Sequence, residues 1–202
     1  MAQLGISDIN RVIEVASRLF AEHGFDGVGI RRISEVSGVK TATIFYHFGT
    51  KSSLYEEARE YKYLEAVKAI SNAAKSANTP DKKLQSILGA FLDKLLSDRT
   101  LLMLLQRDVA DEVARGGPVY PPCRNSVLIE VTEELFQTQF ATIKERRLAF
   151  SLGSLLLGFG AVTASMIANT DDRSHGPEWY ATQREEMVSL VLSIGSRMRN
   201  ML

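Results

Sequence analysis

The stretch that decides the fold runs from Ile30 to Lys51 and reads IRRISEVSGVKTATIFYHFGTK. Ile30, Ile33 and Val36 recur every three residues, which predicts that they share the buried face of a short helix. Gly38 follows them, and glycine can adopt the left-handed conformation that ends one helix and redirects the chain. The sequence therefore predicts two short helices joined by a tight turn, which is a helix-turn-helix.

The second helix of this motif has a polar and aromatic outer side. Ile44 and Phe48 lie four residues apart and can pack inward. The side chains left on the outer side are those of Thr41, Thr43, Tyr46 and His47. Hydroxyl, aromatic and imidazole groups suit the base edges and phosphate oxygens of DNA, so we expect this face to dock on a duplex.

Positive charge is concentrated in the same stretch. The whole chain has a formal net charge of +0, whereas this stretch carries four positive side chains and one negative one, those of Arg31, Arg32, Lys40, Lys51 and Glu35. A local basic surface is typical of a small DNA-binding unit. The sequence pI near 6.8 argues against a nonspecific nucleic-acid coat. Arg31 and Arg32 could equally be solvated charges, and the sequence alone leaves that alternative open.

The composition is otherwise typical of a soluble globular protein. A chain of 202 residues allows one large domain, or a small module with a larger one. Cys123 is the only cysteine, which excludes a disulfide within the chain and suits a reducing cytoplasm. The N-terminal residues show no basic segment followed by an apolar run, so no secretory signal is predicted and we expect a cytoplasmic protein.

Helical spacing continues along the chain and predicts about nine helices in total. The first follows a cap at Ser7 or Asp8 and ends at Gly24, and the fourth follows a cap at Thr50. The first helix has an apolar stripe of Ile9, Val12, Ile13, Ala16, Leu19 and Phe20. The others are predicted from Pro80, over 102–113, around 127–135, and over about 143–169 and 177–199. The apolar side of the helix from Pro80 is marked by Leu84, Ile87, Leu88, Phe91 and Leu95.

No alternating strand pattern occurs, so the predicted fold is all-α. We assign residues 1–52 to a helix-turn-helix DNA-binding domain and residues 53–202 to a helical effector-binding and dimerisation domain. The fourth helix would span about 35 Å, which is long enough to connect the two.

The eighth predicted helix allows a second interpretation. Leu148 to Asn169 contains no charged residue over 22 positions, about 33 Å of helix against a bilayer core of about 30 Å. Serine, glycine, alanine and threonine interrupt this apolar run, and small residues let helices approach closely. We therefore expect a helix buried in a core and a subunit interface, and we keep a membrane span as the less favoured alternative.

Residues 9–58 resemble the N-terminal domain of the TetR family of bacterial transcriptional regulators. The resemblance rests on three segments, LFAEHGFDGV, IRRISEVSGV and TATIFYHFGTKSSLY, whose spacing matches the family throughout. It implies a ligand-responsive DNA-binding transcriptional regulator, with repression favoured over activation, and a recognition helix over about residues 41–47. The residues at positions that meet DNA in the family are Arg31, Thr41, Ala42, Thr43, Tyr46, His47 and Lys51.

Two residues depart from the family pattern. Gly29 stands where Ser or Thr usually caps the second helix, which costs a few tenths of a kcal/mol and loses a hydroxyl. Phe45 stands where tyrosine is common, so a hydrogen bond to phosphate is lost there. The sequence also leaves open an alternative in which Tyr46 and His47 pack on the fourth helix.

The resemblance further implies a homodimer that binds a pseudo-palindromic operator and is released by a small, largely apolar effector. It places the dimer contact on the last two long helices, where suitable residues are Ser154, Gly158, Ala161, Ser165, Met187, Leu190, Val191, Ile194 and Met198. An effector site is predicted between helices five to eight, with a lining of Phe91, Met103, Gln106, Arg107, Phe136, Phe150 and Met166. Plain core packing is the alternative for each of these lining residues.

An enzyme is the competing class of function. Helical folds can host metal-dependent chemistry, but the sequence has no Glu-x-x-His pair, no His-Glu-x-x-His motif and no second cysteine. We therefore predict no catalytic residues, no cofactor and no metal site. The alternative function is a helical metal- or ligand-dependent enzyme, or a small-molecule-binding protein that does not bind DNA.

Overall fold

The computed structural model describes residues 5–76, 78, 80–114, 155, 157–163 and 177–199. Throughout these ranges the regular secondary structure is helical and no strand occurs, which confirms the predicted all-α fold. The predicted helix around 127–135 and most of the predicted helix over 143–169 lie outside the described residues.

Eight helical segments follow one another along the described chain. They are α1 (Ile6–His23), α2 (Ile30–Ser37), α3 (Thr41–Phe48), α4 (Lys51–Lys75), α5 (Pro80–Ser97), α6 (Arg99–Ala114), α7 (157–163) and α8 (Pro177–Arg199). Helix α4 runs without a break through the predicted domain boundary between residues 52 and 53. That boundary therefore stays a prediction.

Helices α1, α2 and α3 form a unit around an apolar core. The stripe of α1 predicted from the sequence is buried, and Val12, Ala16 and Phe20 are fully inaccessible to solvent. The Phe20 ring meets Tyr55 of α4 edge-on, with 5.0 Å between the ring centroids. Burying one large apolar side chain contributes about 1.5–3 kcal/mol, so contacts of this kind dominate the stability of the unit.

The buried face of α2 differs from the prediction at one position. Ile30 and Ile33 are buried as expected, but Val36 is 37% exposed and Ser37 takes the buried position. Three residues cover about 300° of an α-helix, so a strict three-residue spacing drifts off one face. Ser37 lies seven residues after Ile30 and returns to that face. Its hydroxyl oxygen accepts a hydrogen bond from the Val39 amide at 3.3 Å, inside the turn.

Glycine ends both α1 and α2, as predicted. Gly38 has φ 71° and ψ 8°, the left-handed conformation, and its amide donates to the Ser34 carbonyl at 2.9 Å. Gly24 has φ 75°, and its amide donates to the Phe20 carbonyl at 2.9 Å. The chain can therefore leave both helices at the angle that the helix-turn-helix requires.

The start of α1 lies two or three residues before the predicted one. The helix begins at Ile6 with Gly5 at the cap, so the prediction of a cap at Ser7 or Asp8 was wrong. The Asp8 amide donates to the Gly5 carbonyl at 2.9 Å, and the Asp8 carboxylate pairs with Arg11 at 2.6 Å. Asp8 thus acts within the first turn, where a negative charge suits the helix dipole.

Helix α4 occupies the centre of the described chain. It packs against α1, α3, α5 and α6, while α6 also packs on α1 and α8 packs on α5. The predicted apolar side of α5 is buried, with Ile87, Leu88, Phe91 and Leu95 inaccessible to solvent. Among the described helices, none combines the length and apolar character needed to span a membrane. Most of the uncharged stretch over 148–169 lies outside that search.

Candidate nucleic-acid interface

The orientation of α3 is set by two buried side chains. Ile44 and Phe48 are 1% and 4% exposed and pack into the three-helix core. Because each residue turns an α-helix by about 100°, the opposite face is centred on Ala42 and Tyr46, with Phe45 to one side. Tyr46 is 71% exposed and Phe45 is 46% exposed. The core therefore presents an aromatic surface of α3 to the outside.

The other predicted contacts of α3 differ in their exposure to solvent. Thr41 and Thr43 are half-buried, whereas Ala42 and His47 are exposed. The His47 ring meets the Phe48 ring edge-on at 4.7 Å between centroids, which holds the imidazole beside the helix. The exposure of Tyr46 and His47 argues against the alternative in which both pack on α4.

Two arginines of α2 share one carboxylate. Arg31 Nε donates to Glu35 Oε1 at 3.3 Å, and Arg32 Nη1 lies 3.7 Å from Glu35 Oε2. The Arg31 side chain is 91% exposed. Exposed ion pairs contribute little to stability, about 0–1 kcal/mol, so a phosphate can replace Glu35 at small cost. The prediction of a DNA contact at Arg31 is compatible with this placement.

The first turn of α4 carries another positive side chain, that of Lys51. Thr50 caps the helix as predicted, because its hydroxyl oxygen accepts from the Ser53 amide at 3.0 Å. Lys51 Nζ lies 4.3 Å from the centroid of the Phe25 ring. This cation–π contact limits the range of the lysine side chain. A helix start with a lysine is suited to a phosphate group.

Arg107 links α6 to the end of α1. Its Nε donates to the Ala21 carbonyl at 2.7 Å, and its Nη2 donates to the Glu22 carbonyl at 2.8 Å. The last carbonyls of a helix lack partners within the helix, and a cation there also suits the helix dipole. The sequence predicted Arg107 as a polar lining residue of an effector site. In the structure its guanidinium holds the helix-turn-helix unit against α6.

A buried ion pair joins α4 to α6. Arg59 Nη2 lies 2.7 Å from Asp108 Oδ2, and the Tyr63 hydroxyl donates to the same carboxylate. The Asp108 side chain is 3% exposed. Burial acts to lower the pKa of Arg59, but the charge of Asp108 outweighs it and the pKa is raised, so the guanidinium stays charged. Burial, reinforced by Asp108, raises the pKa of the nearby Tyr55 hydroxyl to about 12.

A second polar cluster joins α4 to α5 and to the start of α6. Lys62 Nζ lies 3.3 Å from Asp98 Oδ2, and Asp98 Oδ1 accepts from the Leu101 amide at 3.1 Å. Burial acts to raise the pKa of Asp98, but this hydrogen bond and the charge of Lys62 outweigh it and lower the pKa. Asp98 therefore caps α6 and binds α4 with the same carboxylate. The sequence analysis did not identify either polar cluster.

The structure describes four of the seven predicted effector-site residues. Phe91 is fully buried in the core, and Met103 is half-buried against it. Gln106 is exposed, while Arg107 binds α1. Phe136, Phe150 and Met166 lie outside the described residues. The effector site therefore stays a prediction. In the part of the chain that is described, no group of three or more His, Cys, Asp or Glu side chains could hold a metal ion.

The predicted dimer residues fall into three groups. Gly158, Ala161 and Leu190 leave area open to solvent, and Leu190 is 48% exposed. Met187 and Val191 instead pack on the core of the same chain. The rest lie outside the described side chains, namely Ser154, Ser165, Ile194 and Met198. Val162 of α7 is also exposed, at 60%, and was not predicted.

Comparison with known proteins gives the same assignment for the N-terminal unit. Residues 12–58 match the family model described as bacterial regulatory proteins, tetR family. The chain is 40% identical over 50 residues to the HTH-type transcriptional repressor AcnR of Corynebacterium efficiens, covering 25% of this chain and 27% of that protein. It is 37% identical over 127 residues to the HTH-type transcriptional regulatory protein RaaS of Mycobacterium tuberculosis, covering 55% and 59%. The chain thus spans between about a quarter and three fifths of the length of these relatives.

A solved structure extends the likeness in fold to nearly the whole chain. A TetR-like transcriptional regulator from Rhodococcus sp. RHA1 superposes with a TM-score of 0.67 and 16% identity, covering 98% of this chain and 99% of that one. At this identity the likeness concerns the fold alone. The family match is therefore confined to residues 12–58, from α1 to the first part of α4, which carry the N-terminal domain of the tetR family of bacterial regulatory proteins.

Proposed function

We propose that this protein is a DNA-binding transcriptional repressor that binds a pseudo-palindromic operator as a homodimer. The observation that carries the proposal is the exposed surface of α3, whose Tyr46 is 71% exposed, in a helix that follows the arginines of α2 and precedes Lys51 of α4 in the chain. Phosphate contacts position a protein on DNA and base contacts give specificity. The surface supplies groups for both, and it belongs to the domain that matches the tetR family over residues 12–58.

A dimer is required because two recognition helices must enter successive major grooves, about 34 Å apart. Apolar area on α7 and α8 supports a dimer contact there, since Val162 and Leu190 are 60% and 48% exposed. Gly158 is also exposed, and a side chain at this position would meet nothing within 4 Å in the described chain. A charge at Gly158 is therefore expected to disrupt the dimer without disturbing the fold of a single protomer.

Release by a small, largely apolar effector is the second part of the proposal. The contacts of Arg107 with α1 and of Asp108 with Arg59 support it, because they tie the position of the helix-turn-helix to α6. An effector that binds the helical body must favour the conformation that does not bind DNA, since only differential binding shifts the equilibrium. Because its target would be chromosomal DNA, we propose that the protein works in the cytoplasm.

The experiment is a gel shift with duplex DNA that flanks the gene for this chain. The double variant Tyr46→Ala and His47→Ala is expected to lose specific binding, because it removes the exposed groups of α3. Leu64→Ala is the matched control, since Leu64 of α4 is also exposed, at 48%, but lies outside the interface. The control is expected to bind like the natural chain.

Two results would contradict the proposal. One is undiminished binding by the double variant with its helical content intact. The other is the absence of any binding by the natural chain at low salt, where phosphate contacts are strongest. Dimerisation is measured in parallel by light scattering, and the double variant is expected to remain a dimer because α3 lies far in sequence from α7 and α8.

A further inference from the structure

The recognition helix lacks every side chain that makes a bidentate contact with a base. Arg or Lys pairs in this way with guanine, Asn or Gln with adenine, and Asp or Glu accepts from cytosine. None of these residue types occurs in α3, which reads TATIFYHF from Thr41 to Phe48. What the helix offers is methyl groups, two exposed aromatic rings, hydroxyls and one imidazole. Its recognition of DNA must therefore differ from the commonest direct readout.

The free surface of α3 is largely apolar. With Ile44 and Phe48 turned into the core, the exposed residues of α3 are Ala42, Phe45, Tyr46 and His47, and the first three are apolar or aromatic. Phe45 is 46% exposed although its ring has no polar group. A large apolar ring that stays exposed in the free chain marks a contact surface when it lies among similar groups.

The positive charge of the helix-turn-helix lies on the segments that flank α3 in the chain, on Arg31, Arg32 and Lys40 before it and on Lys51 after it. Arg31 and Arg32 of α2 share Glu35, and Lys51 lies over the Phe25 ring at 4.3 Å. Cations on these flanking segments can bind the phosphates that border a groove. The centre of the groove is then left to the apolar residues. In the major groove, the apolar group that a base presents is the 5-methyl group of thymine.

We propose that α3 recognises thymine methyl groups in the major groove, with Phe45 as the main specificity-determining residue and Ala42 and Tyr46 beside it. The inference rests on the proposed function, because it requires α3 to enter the groove. The inference specifies which chemical group of the operator DNA is recognised. Each operator half-site carries thymines at the contacted positions, and A·T pairs at these positions are chosen for the methyl group and not for a hydrogen-bond pattern.

The test replaces single thymines by deoxyuridine in a duplex selected by the full natural chain from a random-sequence pool. This exchange removes one methyl group and leaves base pairing and phosphates unchanged. Removing a contacted methyl group is expected to raise the Kd by about four-fold, because burying one such group contributes about 0.8 kcal/mol of binding free energy. Thymines outside the contact are expected to give no change, which supplies the control within the same duplex.

A variant then assigns the contact to its residue. Phe45→Ala is expected to bind the thymine duplex more weakly and to lose its sensitivity to deoxyuridine at the position that Phe45 contacts. Leu64→Ala is the control, and it is expected to keep the full sensitivity. Circular dichroism checks the fold of each variant. If Phe45→Ala does not fold, the deoxyuridine series with the natural chain still decides the question.

The outcomes separate this inference from the proposed function. Selection of no sequence from the pool would overturn the proposed function itself. Specific binding with no response to deoxyuridine at any thymine would overturn the inference and leave the function standing. A third result would also overturn the inference. It is that binding weakens only when guanine is replaced by 7-deazaguanine, and that Arg31→Ala no longer shows this sensitivity. The sequence would then be read by an arginine of α2.

Discussion

The helix-turn-helix unit and the contact between α4 and α6 are stabilised by opposite means. The first is held by apolar side chains, such as Phe20 and Ile33, that are fully buried. The second is held by Arg59 and Asp108, a buried ion pair whose atoms lie 2.7 Å apart. An apolar core tolerates substitutions that conserve its volume, whereas a buried charge is costly as soon as its partner is removed.

This difference indicates how the two regions serve the function. The helix-turn-helix must keep one shape while its exterior binds DNA, and an apolar core gives it that stability. The α4–α6 contact must fix the direction of α4, and hydrogen-bonded charges fix geometry more strictly than apolar contacts do. Substitutions can therefore distinguish the two regions, and the following predictions run from the largest effect to the smallest.

Asp108→Leu is expected to have the largest effect. It removes the carboxylate that faces the buried Arg59 and Tyr63, and breaking a buried pair on one side costs about 3–5 kcal/mol. Urea unfolding followed by circular dichroism measures the loss. The double variant Arg59→Met and Asp108→Leu is expected to recover much of the free energy of unfolding, since a buried pair can be replaced by apolar residues at little cost.

Urea unfolding and DNA binding of the double variant together separate the effect of the ion pair on stability from its effect on the direction of α4. If the pair fixes the direction of α4, the double variant regains stability but binds DNA more weakly than the natural chain. A double variant as unstable as Asp108→Leu alone would show that shape, and not charge, decides this contact. No rescue by a second substitution is expected in the apolar core, where Phe20→Ala leaves a cavity.

Asp98→Ala is expected to have an intermediate effect, about 1–2 kcal/mol, because it removes the cap of α6 together with the partner of Lys62. The pKa of Asp98 is lowered in the folded chain. Its contribution is therefore present above the ordinary aspartate pKa, about 3.9, and is lost as the pH falls through the lower folded value.

The matched variant is Asp98→Asn, which keeps an oxygen to cap α6 but carries no charge. It is expected to be more stable than Asp98→Ala and to lose the dependence on acid pH that Asp98 provides. Urea unfolding between about pH 3 and pH 7 measures both properties. Equal pH profiles for Asp98→Asn and the natural chain would contradict the assigned role of the carboxylate.

The same contrast explains how far the fold could be predicted from the sequence. The stripe of α1 and the turn at Gly38 were predicted because their signals lie within a few neighbouring residues. Val36 was wrongly assigned to the core because a three-residue spacing only approximates the helical period. The pairing of Arg59 with Asp108 joins residues 49 positions apart, and no local pattern specifies it.

The candidate site was likewise predictable only where the signal lies among neighbouring residues. Tyr46 and His47 could be assigned to the outside of α3 because Ile44 and Phe48 define its inside. Arg107 was predicted to line an effector site, although its partners are backbone carbonyls of α1 that are 85 and 86 positions away. Backbone carbonyls leave no trace in the amino-acid sequence. The contact of Arg107 with α1 therefore could not be predicted from the sequence, and its place in an effector site stays a prediction.

The smallest expected effect is at Gly29, within the helix-turn-helix. Its φ of −91° and ψ of 150° suit any residue, and a side chain there would meet nothing within 4 Å. Gly29→Ser is therefore expected to raise the free energy of unfolding by a few tenths of a kcal/mol, because the hydroxyl can cap α2. Thermal unfolding of the two chains side by side measures the difference.

Gly38→Ala is the matched control for that substitution. A side chain at Gly38 would also meet nothing within 4 Å, but its φ of 71° is left-handed. It is expected to lower the free energy of unfolding by about 1 kcal/mol. Because neither substitution creates a clash, opposite signs would show that backbone conformation decides which glycine the turn requires. Equal decreases in the free energy of unfolding would instead mean that α2 needs glycine at its start as well as at its end.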